Sequence, residues 1–414
     1  MSIDPAVEFF REVAATRRRC FWLDGGGARG WSGQRSIIGW LDDDDVSLSY
    51  DATRREVTRH AGQDAQVVGD DVFAVLAAEL AAGSASDQWF GYFGYACRPD
   101  LPARPDQTMP DAVWMRASTV RRFDHAVGER HRGLAISRAT PLDPDYAAAF
   151  AAVQEQLRAG NTYETNLTYR SEADSPDAPA EVYLRLRELN PAPYAGFLQH
   201  DVPGAEAWLL SSSPERYALV TADRVLETKP IKGTTPRGST KAEDDERRRH
   251  LATDPKYRAE NLMIVDLLRN DLAQVCEVGT VDVPVLMDVE SYETVHQLVS
   301  TVVGQLRADV TTLDALRALF PAGSMTGAPK LRTMQIIDGV EATPRGAYAG
   351  AFGWISGDGR ADLGVVIRSL MTGGAGRYRL GTGGGITVLS DVADEWAESC
   401  WKAERVRGAV GPTR

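Results

Sequence analysis

The residue types that could do chemistry cluster late in the chain. In VADEWAESCWKAE (392–404), Glu395, Glu398 and Lys402 are offset by three and seven positions. At about 100° per helical residue, that places two carboxylates and an ammonium within about 60° of one another on one face. Taken alone, Glu398 with Lys402 is an ordinary i,i+4 surface pair worth about 0.3–0.5 kcal/mol. The segment KYRAENLMIVDLLRNDLAQVC (256–276) weighs against that modest reading. Its Leu262, Ile264, Val265, Leu267, Leu268 and Leu272 cover most of a helical circumference, so Glu260, Asp266, Arg269 and Asp271 need partners. Glu260 with Glu395 and Glu398 would form an oxygen-rich Mg²⁺ site, although nothing in the sequence itself brings them together.

Three further stretches carry candidate contacts. In PIKGTTPRG (230–238), Lys232 stands alone among Pro230, Gly233, Pro236 and Gly238, which forbid an ordinary helix. GTGGG (381–385) reads as a loop whose backbone N–H groups can approach an anion closely. FPAGSMTGAPK (320–330), RGAYAGAFGW (345–354) and LGVVIRSL (363–370) set Thr326, Tyr348 and Arg368 among small or apolar residues. An Arg inside an apolar run needs an anionic partner. No G-x-x-x-x-G-K-[ST] and no dinucleotide fingerprint occur, which argues against a nucleotide site.

These groups have to be positioned by elements of two kinds. Residues 1 to about 140 carry short alternating runs such as RSIIGW and DVSLSYDATRREVTRH, expected as antiparallel strands, with one helix over 69–83. From residue 143 onward, Ala-rich helices alternate with strand-like runs such as AWLLSSSPERYALVTADRVLETK. STKAEDDERRRH (239–250) reads as a solvated turn leading into a helix. The 414 residues are 43% apolar and carry a formal charge of −12, which disfavours nucleic-acid binding and requires local cations for any anionic ligand. No run is long and apolar enough for a membrane helix, and the start lacks the order of a signal peptide, so a cytoplasmic location is expected. Cys20, Cys97, Cys276 and Cys400 form no C-x-x-C pair and are expected as buried thiols.

SSSPE (211–215), PIKGTTPRG, ENLMIVDLLRNDL (260–272), VHQLVSTVVG (295–304), FPAGSMTGAPK, RGAYAGAFGW, IRSL, GTGGGI and DEWAESCWKA (394–403) occur in that order. Together they closely resemble the chorismate-utilising enzymes, which include anthranilate, isochorismate, salicylate and aminodeoxychorismate synthases. The resemblance covers about residues 145 to 408 and fits the N-terminal part more loosely. It implies an α/β (α+β) fold like that of anthranilate synthase component I. Two face-packed antiparallel sheets are flanked by helices, and the active site lies in a cleft between subdomains. Residues 1–140 would form a strand-rich N-terminal region of the same fold, and 141–410 the chorismate-binding region.

By resemblance, Glu260 and Glu398 hold Mg²⁺ against the ring carboxylate of chorismate, and Glu395 is a third carboxylate acting on it directly or through water. Tyr348, Arg368, Lys402 and the backbone of Gly383, Gly384 and Gly385 hold carboxylates. Thr326 and Gly327 line the ring, and His296 sits beside it. The PIKGT form is typical of the aminodeoxychorismate synthase branch, in which the lysine attacks C2, hydroxide leaves C4 and ammonia then displaces the lysine by adding at C4. Lys232 needs to be the neutral amine for this, so burial is expected to lower its pKa from about 10.4 against the pull of nearby carboxylates. Glu215 would protonate the departing hydroxyl, with a raised pKa. Glu164, in GNTYETNLTYR, stands where water-using members carry a lysine. Ala322 replaces a usual Gly, and Gly25 replaces the Ser of a tryptophan pocket, which argues against tryptophan binding. None of the four cysteines sits on a glutaminase elbow, so ammonia is expected from a separate glutamine amidotransferase chain. Amination at C2, as in anthranilate or 2-amino-2-deoxyisochorismate formation, is the alternative enzyme reading. A regulatory chorismate- or tryptophan-binding subunit is the non-enzyme one.

Overall fold

The computed structural model describes residues 4–25, 35–125, 140–292 and 295–411. Gly26 and Gly27 of the LDGGG stretch lie outside them. Alternation along the strands shows how two sheets arise. In Arg19–Asp24, Cys20 and Trp22 pack under flanking helices with Phe10, Tyr183 and Phe197, while Phe21 points the other way and stacks on Phe90 of the opposite sheet at 3.9 Å between ring centroids. Ala207 and Leu209 follow Phe21 into the inter-sheet core, and Leu210 faces the helices.

One sheet has nine strands, in the order Gly327–Ala328, Glu164–Asp174, Arg377–Ile386, Ser369–Thr372, Ala207–Ser213, Tyr194–His200, Arg19–Asp24, Arg35–Trp40 and Thr119–Asp124. The other has twelve and runs from Ile231–Pro236 through Val295–Gln305, Val225–Lys229, Arg216–Val220, Ala361–Val365 and Ala351–Ser356 to five strands between Gln88 and Arg116 or Ser47 and Gly69, with Asp282–Ser291 also on Val295–Gln305. The strand pairs are antiparallel throughout, for example Gly383 opposite Thr168. Strands from before residue 125 enter both sheets. This is the expected architecture.

The chain changes sheets at three places that matter for the site. Ser213, Pro214 and Glu215 lead from the ninefold sheet into Arg216–Val220 of the other. Val366–Arg368 makes the return journey to Ser369–Thr372, with Arg368 at φ 51°. The Arg345–Gly350 segment, with Ala349 at φ 65°, delivers Tyr348 beside them.

Several local expectations need correction. GTGGG is not a loop but the middle of strand Arg377–Ile386, paired with Glu164–Asp174. PIKGTTP is likewise a strand, Ile231–Pro236, whose register shifts between Ile231 and Thr234 so that Lys232 and Gly233, the latter at φ 92°, form a bulge. STKAEDDERRRH is mostly helix, Lys241–Thr253, because Thr240 caps it and Lys241–Asp245 and Glu243–Arg247 pair along it. Leu262 is exposed, so the helix Pro255–Ala273 is buried on one side only. Cys400 is half-buried, unlike the other three thiols. No helix among the described residues is long and apolar enough to cross a membrane.

Candidate active site

The sheet crossovers open onto a cavity of about 110 Å³, several times the roughly 10–15 Å³ that one water requires. Its floor is the Lys232 bulge on one side and the glycine strand Gly381–Gly385 on the other. Two helices form a wall. Asp254 caps the N-terminus of Pro255–Ala273 through the Lys256 and Tyr257 N–H groups, which sets Lys256 and Glu260, one turn apart, facing the cavity. Asp391 caps Val392–Gly408 in the same way and orients Glu395, Glu398 and Lys402.

The glycines are required by what stands next to them. A Cβ on Gly381 would meet the Tyr348 ring at 2.3 Å, and one on Gly383 would meet the Leu167 carbonyl at 2.1 Å. A Cβ on Gly385 would lie 2.1 Å from Glu164 Oε1 and 3.1 Å from Lys232 Nζ. The Lys402 ammonium donates to the Gly383 carbonyl at 3.1 Å, so this edge of the strand faces the cavity.

Five carboxylates and four cations meet here. Lys232 is buried and donates to Glu164 Oε1. Lys256 donates to Glu395 Oε1 at 2.7 Å, as does the Ser390 hydroxyl. Lys402 pairs with Glu398 at 2.7 Å. Glu215 accepts from the Ser324 hydroxyl at 2.5 Å. Against these pairs stand groups with unmet capacity: Glu164 Oε2, Glu260 Oε1 and Gln297 Oε1 are buried without a partner among the described residues. The Arg368 guanidinium lies 5.7 Å from the Trp401 ring centre and makes no hydrogen bond or ion pair with the described residues. A largely desolvated cation with no hydrogen-bonded partner beside an open cavity has the chemistry to receive an anion.

Burial dominates the electrostatics. It pushes Glu215 up to about 7, with Ser324 and Lys232 pulling the other way. It pushes Glu260 up to about 8, reinforced by the Glu164 charge. The same loss of solvent brings Arg368 down to about 10. Burial also opposes the charge on Glu398, but Lys402 outweighs it and the carboxyl stays below its usual range. Lys232 departs from expectation. Burial does pull it down, but the charges of Glu164 and Glu260 and the hydrogen bond to Glu164 win, and its pKa is raised.

The cavity thus gathers Glu215, Lys232, Glu260, Tyr348, Arg368, Gly383, Gly384, Gly385, Glu395, Glu398 and Lys402, with Glu164 behind Lys232. Three expected residues are elsewhere. His296 alternates away from the cavity, between the Ser291 hydroxyl and Asp244, and its neighbour Gln297 lines the site instead. Thr326 is fully buried, with its hydroxyl directed at the Ala322 and Gly323 carbonyls. Gly327 pairs with the Glu164 strand, where a Cβ would meet the Glu164 carbonyl at 2.0 Å. Lys256, Ser324 and Gln297 were not singled out from sequence. Lys256 was legible as the residue one turn before Glu260; the other two carry no such signal.

For a divalent cation, the donor set has the right chemistry, since Glu260, Glu395 and Glu398 present carboxylate oxygens on one wall and Glu260 Oε1 is buried without a partner among the described residues. No group of three acidic, His or Cys side chains among the described residues is drawn together at metal-binding range, because Lys256 and Lys402 hold two of the carboxylates. Those lysines have to yield for all three to bind one ion.

A family model described as chorismate binding enzyme matches residues 129–408. Aminodeoxychorismate synthase of Streptomyces griseus is 51% identical over 258 residues, 62% of this chain and 35% of that protein. Aminodeoxychorismate synthase component 1 of Klebsiella aerogenes is 41% identical over 269 residues, 65% of this chain and 58% of that protein. A component 1 of anthranilate synthase from Haloarcula marismortui is 41% identical over 311 residues, 73% and 61% of the two chains. The solved anthranilate synthase component I from Streptococcus pneumoniae TIGR4 superimposes with a TM-score of 0.74 at 25% identity, covering 91% of this chain and 92% of that one. This chain spans about a third of the length of the first curated relatives it matches.

Proposed function

This chain belongs to the chorismate-binding enzyme family, and we propose that it aminates chorismate at C4 to give 4-amino-4-deoxychorismate, a precursor of para-aminobenzoate. The observation that carries this reading is Lys232, a buried amine on the cavity floor with the acid Glu215 lining the same space. The relatives named aminodeoxychorismate synthase support the choice of C4.

In this reading, Arg368, Lys402 and the Gly383–Gly385 edge hold the substrate carboxylates. The Lys232 amine bonds to C2 as the ring double bonds shift and hydroxide leaves C4, protonated by Glu215, whose raised pKa keeps the acid form available near neutrality. Ammonia then bonds to C4 and the C2–nitrogen bond breaks, which returns the lysine. Glu260, Glu395 and Glu398 would hold Mg²⁺, which neutralises a substrate carboxylate that this acidic chain would otherwise repel. The ammonia comes from a glutamine amidotransferase outside these 414 residues. Amination at C2 is the second reading, favoured by the likeness to anthranilate synthases; a nucleophilic lysine has no task in it.

The test is to supply the chain with chorismate, Mg²⁺ and ammonium salt and to locate the new nitrogen by NMR. Nitrogen at C4 is expected. Nitrogen at C2 would overturn the proposal in favour of the second reading.

A further inference from the structure

Lys232 presents a difficulty that its surroundings also answer. The attacking species is a free amine, yet the carboxylates facing it hold its proton: Glu164 from the ninefold sheet, Glu260 from the helix Pro255–Ala273 and Glu215 from the crossover, with Lys256 and Lys402 across the cavity. Among the described residues, Glu164 alone is hydrogen-bonded to Nζ. It comes from the opposite sheet, is 0% exposed, and its second oxygen is buried without a partner among the described residues. The space for the pair is made by Gly385, where any Cβ would strike Glu164 Oε1. A structural ion pair has no need of an unsatisfied oxygen or an excavated strand.

We propose that Glu164 is a further catalytic residue, the proton acceptor that frees the Lys232 amine and later returns its proton. The assignment rests on the lysine-adduct reading above. The proton passes from Nζ to Glu164 along the existing hydrogen bond, leaving a neutral amine beside a carboxylic acid. A neutral pair is the form that low dielectric favours once substrate has displaced water. Nζ then bonds to C2, and the C4 hydroxide departs as water with the Glu215 proton. When ammonia bonds to C4 and the C2–Nζ bond breaks, lysine leaves as the free amine and retakes its proton from Glu164. The new C4 ammonium gives one to Glu215, and every group is back in its starting state.

The experiment compares single-turnover formation of the C4-amino product by the native chain, Glu164→Gln and Glu164→Asp between pH 6.5 and 10. Glu164→Gln is expected to be about 10²–10⁴-fold slower than native at neutral pH. That ratio should shrink as solvent itself deprotonates lysine toward its ordinary range, on top of the fall common to both chains as Glu215 loses its proton above about 7. Glu164→Asp, which keeps the acceptor, should stay within about tenfold of native with the native pH profile. A Glu164→Gln variant with the native rate and profile would overturn the assignment. Should that variant fail to fold, Glu164→Asp decides: a rate that gains on the native rate as pH rises would also overturn it. Absence of C4 product from the native chain is the distinguishable failure, since it removes the function reading and this inference together.

Discussion

Two buried polar clusters lie between the sheets, and they are finished to different degrees. In the N-terminal half, Arg19 donates to the Asp42, Asp43 and Asp45 carbonyls and to Ser47. Ser47 also bonds His200 Nε2, and Ser49 bonds His60. The Ala205 carbonyl fixes the proton of His200 on Nδ1. None of these side chains has a buried polar atom without a partner among the described residues. Around Lys232 the same inter-sheet position holds Glu164, Glu260 and Gln297 oxygens without partners among the described residues and an Arg368 that makes no hydrogen bond or ion pair with them. Buried polar groups are normally satisfied, so the first cluster holds sheets together and the second holds places for a ligand.

Lys232→Ala strikes the unfinished cluster hardest. C4 amination is expected to fall by about 10³-fold or more in a product assay, with some loss of stability because the buried Glu164 carboxyl is left without its ion-pair partner, and circular dichroism checks that the variant is folded. Glu215→Gln sharpens the contrast by separating activity from stability. The rate should drop about 10²–10⁴-fold. A carboxyl raised by burial to about 7 contributes stability as the acid, fully below its ordinary range and progressively less as pH rises through 7. The variant should therefore gain on the native chain in thermal unfolding as pH goes from 5 to 9, by up to about 3 kcal/mol.

The division between the clusters also marks what sequence could reveal. The strands of the N-terminal part were legible from runs such as RSIIGW, and the two packed sheets from the family resemblance. Cys20, Phe21 and Trp22, by contrast, form one apolar run whose two faces only the fold separates. The wall helices were legible from the runs at 256–276 and 392–404. The cavity's acids and bases were legible by type. Pairing was not: Lys232 with Glu164, Lys256 with Glu395 and Ser324 with Glu215 each join separate elements, and only the fold decides them. GTGGG misled because glycines required by close neighbours look like glycines required by a turn. His296 misled because a one-residue step along a strand reverses the face, and that hands the cavity to Gln297.

Two smaller effects extend the comparison. Mg²⁺ at a hundred times its dissociation constant should raise the native chain's stability by about 2.7 kcal/mol, read as a thermal shift, and Glu260→Gln should abolish the shift while leaving the metal-free melting temperature intact or higher. In the finished cluster, burial brings His200 down to about 3 and also lowers His60. Neutral histidine therefore contributes stability above its ordinary pKa near 6.5, and that contribution is lost as pH falls toward 3. His200→Gln should flatten this loss by about 2 kcal/mol between pH 6.5 and 5 in denaturant titrations and leave turnover within about twofold.

The central claim is that Lys232 bonds covalently to the substrate, and the most direct measurement is peptide mass mapping of the chain acid-quenched with chorismate and Mg²⁺ in the absence of ammonia. The account predicts chorismate less one water on the peptide carrying Lys232, and no such mass in Lys232→Ala. A native chain that turns chorismate over on adding ammonia, yet never carries that mass or carries it on another residue, would contradict it.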